Sequence, residues 1–90
     1  MKITVTAKNI KDGKRCDGRY CPVALAIKDV LRKLKLPVGV VVVNDNMALV
    51  LKHYWWCSKS VTNFVNSFDH TDRKIRPFSF TIPDIYFERN

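Results

Sequence analysis

Three cations, Lys14, Arg15 and Arg19, stand in a short polar stretch that runs directly into Cys21-Pro22. Proline suits the first position of a helix, because the N–H it lacks would find no partner inside the helix. A helix start offers backbone donors and the positive end of the helix dipole, and both attract phosphate. Arginine adds a fork that matches phosphate oxygens. Gly13 and Gly18 give the chain freedom to wrap an anion. Lys14, Arg15, Arg19, Tyr20 and Cys21 are therefore candidate ligand-binding residues, set against the plainer reading of a solvated basic loop.

A second set follows at His53-Tyr54-Trp55-Trp56. On a strand, alternate residues face opposite ways, so four consecutive rings cannot all enter one core. Tyr54, Trp55 and Trp56 are candidates for stacking a base, the role that exposed aromatics beside cations take in nucleic-acid and nucleotide sites. The competing reading has helices covering both faces, with the tryptophans in the core.

The three cysteines and two histidines invite a zinc reading, but Cys16 and Cys21 form one loose pair and no second matched pair exists. Metal ligation is not expected. A Cys16–Cys21 disulfide is disfavoured by an odd cysteine count in an intracellular setting, so three free thiols are expected. Cys21, directly before a helix, reads as a small buried residue or as a thiol activated by the dipole. Catalytic residues are not expected either. Glu88 is the only glutamate, and Asp69-His70 with Asp72 reads as a solvated turn. No phosphate-loop or nucleophile-elbow motif appears, so the chain reads as a non-enzyme with no cofactor.

Charge gives these candidates a context. Sixteen Lys and Arg face eight Asp and Glu, a net charge of +8 on 90 residues. Residues 1–36 hold ten basic and three acidic residues, so nearly all the excess lies in the first two-fifths of the chain. Lys28, Arg32 and Lys35 recur at helical spacing as a basic face. Such a field favours phosphates, nucleic acid or acidic protein surfaces. The hydrophobic fraction of 47% suffices for one core, and 1–90 reads as a single domain. No apolar run approaches the roughly 20 residues that span a bilayer, and the N-terminus does not read as a signal peptide. A soluble protein with no membrane partner is expected.

The elements that must position these groups follow from periodicity. Residues 2–6 alternate as a short strand; Thr6 can cap a short helix over 7–12, and Gly13 reads as a left-handed stop. Asp17-Gly18 marks a turn. From Pro22, the residues Val23, Ile27, Val30, Leu31 and Leu34 form an apolar helical stripe that Pro37 ends. Residues 38–43 read as a strand, and Asn44-Asp45-Asn46 as a hairpin turn with positive φ at its centre. Residues 47–56 read as one long return strand, with Met47, Leu49, Leu51, His53 and Trp55 on one face. Ser58 or Ser60 can cap a helix to about Phe68 that buries Val61, Phe64, Val65 and Phe68. Residues 69–74 read as a turn and 75–82 as an edge strand. Ile85, Tyr86 and Phe87 argue that the tail docks. The class is α+β, a small mostly antiparallel sheet of about four strands with two helices packed on it, in the order β-α-α-β-β-α-β. A long hairpin and an edge strand leave self-association open.

The pairs Ile3/Val5 and Ile10/Gly13, the run Cys21-Pro22-Val23-Ala24-Leu25-Ala26, Phe68-Asp69 and Pro77-Phe78-Ser79-Phe80 together resemble a group of small uncharacterised proteins encoded in bacteriophage genomes. The likeness covers both ends of the chain and departs at residues 52–58 and in the Cys16–Cys21 spacing. It implies a phage-type accessory protein in the cytoplasm of a bacterial host, where proteins of this size act as non-catalytic inhibitors or as sponges for signalling nucleotides. The residues and this likeness together favour binding of a phosphorylated ligand, a nucleotide or cyclic nucleotide signal, to counter host defence. The alternatives are docking of the basic face on an acidic host protein, and nucleic-acid binding through Lys28, Arg32 and Lys35.

Overall fold

Alternation in the first strand, β1 (Lys2–Val5), buries Ile3 and Val5 and turns Lys2 and Thr4 outward. The computed structural model describes residues 1–38, 41–51, 53–70 and 75–87. Thr6 then closes a capping box on α1 (Ala7–Asp12). Its hydroxyl accepts from the Asn9 N–H at 3.1 Å, and Asn9 Oδ1 accepts from the Thr6 N–H at 2.9 Å. Asn9 Nδ2 donates to Asp29 Oδ2 at 3.0 Å, so one buried amide ties α1 to the long helix α2 (Pro22–Lys33).

Gly13 ends α1, but not as a left-handed stop. Its φ is −71°, and its lack of a side chain serves a close approach instead. A Cβ there would lie 2.5 Å from Pro22 Cδ, so the first turn of α2 occupies that space. A left-handed stop closes α2 instead, at Lys35 with φ 57°. There the Leu36 N–H donates to Leu31 O and the Lys35 N–H to Arg32 O, a Schellman closure with lysine where glycine is usual. Within α2, Val23, Ile27 and Leu31 are fully buried, Val30 is half-buried, and Leu34 is exposed just past the helix end.

The second half carries β2 (Val41–Val43), β3 (Met47–Val50), β4 (His53–Trp56), α3 (Lys59–His70) and β5 (Phe78–Thr81), then a 3-10 turn (Asp84–Phe87). The α+β class and the element order are those expected. The strands divide between two antiparallel sheets, β1-β5 and β2-β3-β4. The long return strand expected over 47–56 folds back on itself: Leu51 adopts φ 55° and Val50 pairs directly with His53. The 44–46 turn needs no positive φ, because Asn44 Oδ1 accepts from the N–H groups of Asn46 and Met47 at 2.8 and 2.7 Å. Residues 39–40, 52, 71–74 and 88–90, and with them part of the 38–43 run, Asp72 and Glu88, lie outside the described residues; Asp69 and His70, expected in a turn over 69–74, are the last residues of α3.

One core joins both sheets. Ile3, Val5, Phe80 and Ile82 from β1 and around β5 meet Val41, Val50 and Trp55 of the other sheet over α2. Rings carry the junction: Phe64 stacks on Phe68 and Phe78, Phe78 on Phe80, and Phe80 on Trp55. Each such pair adds about 0.5–1.5 kcal/mol beyond its burial. The tail docks through Phe87, which is buried, and Tyr86, which meets His53 edge-on at 5.9 Å; Ile85 stays exposed. Among the described residues no helix is long and apolar enough to cross a membrane.

Candidate functional site

The loop from Lys14 to Tyr20 is closed by its own backbone. The Lys14 N–H donates to Tyr20 O at 2.8 Å, and Asp17 O accepts from the N–H groups of Tyr20 and Cys21. That closure stacks cations on a ring. Lys14 Nζ lies 5.4 Å and Lys28 Nζ 4.4 Å from the centroid of Tyr20, and Lys28 Nζ also donates to Arg19 O. Lys14, Arg15, Arg19 and Tyr20 are all exposed. Sequence reasoning placed Lys28 with Arg32 and Lys35 on a separate face. The structure brings Lys28 to the loop, while Arg32 pairs with Asp29 at 3.0 Å and Lys35 sits in the helix closure.

The helix start is not the expected phosphate cradle. Cys21 is buried; its Sγ accepts from the Ala24 N–H at 3.4 Å and its carbonyl from Leu25 N–H at 3.0 Å. Pro22 has no N–H, and Cys21, Pro22, Val23 and Ala24 are all buried. The donors that would meet an anion are used or covered. Both glycines serve packing rather than wrapping: a Cβ on Gly18 would lie 2.8 Å from Val43 O. Gly18 O in turn accepts from the Val43 N–H at 2.8 Å, bonding the loop to the outer edge of β2. Burial pushes the Cys21 thiol up from its ordinary value, against the lowering by backbone N–H groups, so the activated-thiol alternative does not hold.

Beside this loop lies a cleft of about 440 Å³, lined among others by Cys16, Cys21, Asp17, Asp45, Asp69 and His70. Its three carboxylates make it acidic in a basic protein. Asp69 Oδ1 accepts from the Cys16 N–H at 2.9 Å and Asp17 Oδ1 from the Arg19 N–H at 3.1 Å, so two of the three already hold backbone. All three cysteines are free. Burial, then the neighbouring Cys21 and Asp45, push Cys57 up to about 11. Among the described residues no three His, Cys, Asp or Glu side chains come together as a metal site.

The aromatic set divides by face. Trp55, expected as a stacking candidate, is instead buried in the core and stacks on Phe80 at 5.7 Å. Tyr54 and Trp56 point the other way and are 64% and 72% exposed. With Val42, Met47 and Leu49 they form the outer face of the three-stranded sheet, in rows set by the register Val42↔Leu49↔Tyr54 and Met47↔Trp56. The basic loop touches β2 and the aromatics sit on β4, two strand spacings or about 10 Å away. The two candidate sets thus occupy opposite edges of one sheet. Sequence reasoning missed the Lys28–Tyr20 contact and the acidic cleft, since both depend on chain closure between distant residues. No protein-family model, curated protein or solved structure matches this chain.

Proposed function

We propose that the protein binds, without catalysing a reaction, an anionic phosphorylated ligand that carries a nucleobase. The observation behind this reading is the pair of ammonium groups, Lys14 and Lys28, held 5.4 and 4.4 Å from the centroid of the exposed Tyr20 ring. Neither meets a carboxylate within ion-pair distance among the described residues. Two ammonium groups drawn to one ring concentrate positive charge there, and a phosphate bound beside them relieves it. Arg19, exposed next to Tyr20, adds a bidentate donor. The net charge of +8 draws such a ligand in. Sequestration of the ligand is the outcome that the phage-type resemblance supports.

Thermal-shift titration with nucleotides, cyclic dinucleotides and short oligonucleotides at low salt tests the reading, because a ligand of the native state raises Tm by mass action. Lys14→Glu with Lys28→Glu is expected to weaken binding about tenfold or more, since a charge-assisted contact contributes about 1.5–3 kcal/mol. Unchanged affinity in that double variant, or no shift with any phosphate compound, overturns the reading.

A further inference from the structure

We propose that the ligand is a single-stranded nucleic acid, laid across the outer face of β2, β3 and β4 with bases stacked on Tyr54 and Trp56. This rests on the reading that the ligand carries both phosphate and base.

The first argument is the character of the face. Every described side chain that β2, β3 and β4 turn outward, from Val42 to Trp56, is uncharged, although 27% of the chain is charged. An uncharged platform bordered by cations suits a polymer with flat apolar bases and an anionic backbone. Stacking on aromatic faces supplies affinity without regard to base identity.

The second argument is spacing. Tyr54 and Trp56 are two residues apart on one strand face, so their backbones are separated by about 6.8 Å at the usual antiparallel rise. That is twice the roughly 3.4 Å step between stacked nucleotides. Each ring can carry its own base, or one base can sit between the two rings.

The third is reach. Tyr54 and Trp56 lie on β4, whereas Lys14, Arg19 and Lys28 cluster around the loop bonded to β2 through Gly18 O. A mononucleotide occupies one of these two centres. A strand of several nucleotides crosses the row Tyr54, Leu49, Val42 and engages both. The acidic cleft with Asp17, Asp45 and Asp69 reaches this row at Val42, so the anionic backbone passes on the side of Lys14, Arg19 and Lys28 rather than into the cleft. A second copy is the poorer occupant, because it would press two chains of +8 together.

Fluorescence anisotropy with a labelled eight-nucleotide pyrimidine strand, competed with the mononucleotide and with duplex of the same length, tests the proposal. The strand is expected to bind tightest. Trp56→Ala and Tyr54→Ala are each expected to weaken it about 5- to 150-fold, with Trp56→Phe restoring most of the loss. The log–log salt dependence should fall with a slope of about −0.7 for each phosphate neutralised. Lys14→Glu with Lys28→Glu should flatten that slope, while the two aromatic variants leave it unchanged. Circular dichroism checks that each variant is folded. If mononucleotide binds as tightly as the strand and the aromatic variants are silent, this proposal fails while the phosphate-ligand reading stands. Binding by nothing that carries phosphate ends both. Duplex binding equal to strand binding, or a dimer in sedimentation that Trp56→Ala dissolves, overturns the proposal for the sheet face.

Discussion

Trp55 and Trp56 are neighbours of one residue type, yet one is 8% exposed and the other 72%. Trp55 shares its face with Ala48 and Val50 and stacks on Phe80; Trp56 shares its face with Met47 and Tyr54. Hydrophobicity does not distinguish them. What does is the parity of the chain reversal before them. If residues 47–56 ran as one strand, Trp56 would fall in line with Ala48 and Val50 and enter the core, while Trp55 would lie outside. The reversal after Val50, entered through Leu51 at φ 55°, exchanges the two. A one-step shift of register moves every side chain to the other face. Here it decides which tryptophan enters the core and which stands exposed on the sheet's outer face.

The sharpest way to break the comparison is Trp55→Ala. It removes a buried ring from the stack through Phe80, Phe78 and Phe64 that joins the two sheets. Loss of about 3–5 kcal/mol is expected, as for other buried aromatic truncations. Much of a small domain's stability would go with it, and urea unfolding measures the loss. A cost below about 1 kcal/mol would mean that Trp55 is not core.

The same parity explains how far the sequence alone could be read. The α+β class, the element order, the Thr6 cap, the α2 stripe and the α3 stripe were legible, because each depends on residues within one or two turns of one another. Alternation around His53-Tyr54-Trp55-Trp56 required that some rings leave the core, but it could not say which. That answer depended on Leu51, a poor turn residue that local propensity reads as strand. The candidate loop was legible as basic and exposed. Its helix-start donors were not legible as spent, since the Cys21 thiol is an uncommon cap. Tyr20 meets Lys28 across α2's first turns, and Asn9 meets Asp29 across 20 residues; neither pairing leaves a short-range signal.

Gly13→Ala separates the two edges of the sheet. The new Cβ would strike the Pro22 ring at 2.5 Å, displacing the loop that carries Lys14 and Tyr20 while leaving β4 in place. A destabilisation of about 1–3 kcal/mol is expected, typical of overpacking. Mononucleotide binding should fall by more than the stacking signal from Trp56, and paired titrations read both.

Cys57 probes whether the chain turns inward again directly after Trp56. Its N–H donates to Asn46 O at 2.8 Å, and its thiol is pushed up from 9.0 to about 11, chiefly by burial. In the unfolded chain the thiol ionises from about pH 9, whereas the folded chain keeps its proton. The unfolded state therefore holds fewer protons between pH 9 and 11, and stability falls as pH rises through that window. The slope stays well below about 1.4 kcal/mol per pH unit for this half-buried group. Alkylation at pH 8 should modify exposed Cys16 first and Cys57 slowly, with the Cys57 rate climbing until about pH 11. Equal rates at pH 8 would place Cys57 in solvent beside Trp56.

The smallest expected change in stability is that of Trp56→Ala, and its smallness is the informative part. A ring that is 72% exposed gives up little burial on truncation, so stability should stay within about 0.5 kcal/mol of the parent. The two tryptophans also report separately. In Trp56→Phe the remaining emission comes from Trp55 and should be blue-shifted and shielded from acrylamide. In Trp55→Phe it comes from Trp56 and should be red-shifted and readily quenched, with an added strand restoring protection. A large stability loss in Trp56→Ala would put that ring under cover within the fold and remove it as a contact surface. Intact stability together with lost strand binding would show that parity at one hairpin assigned the two neighbours opposite tasks.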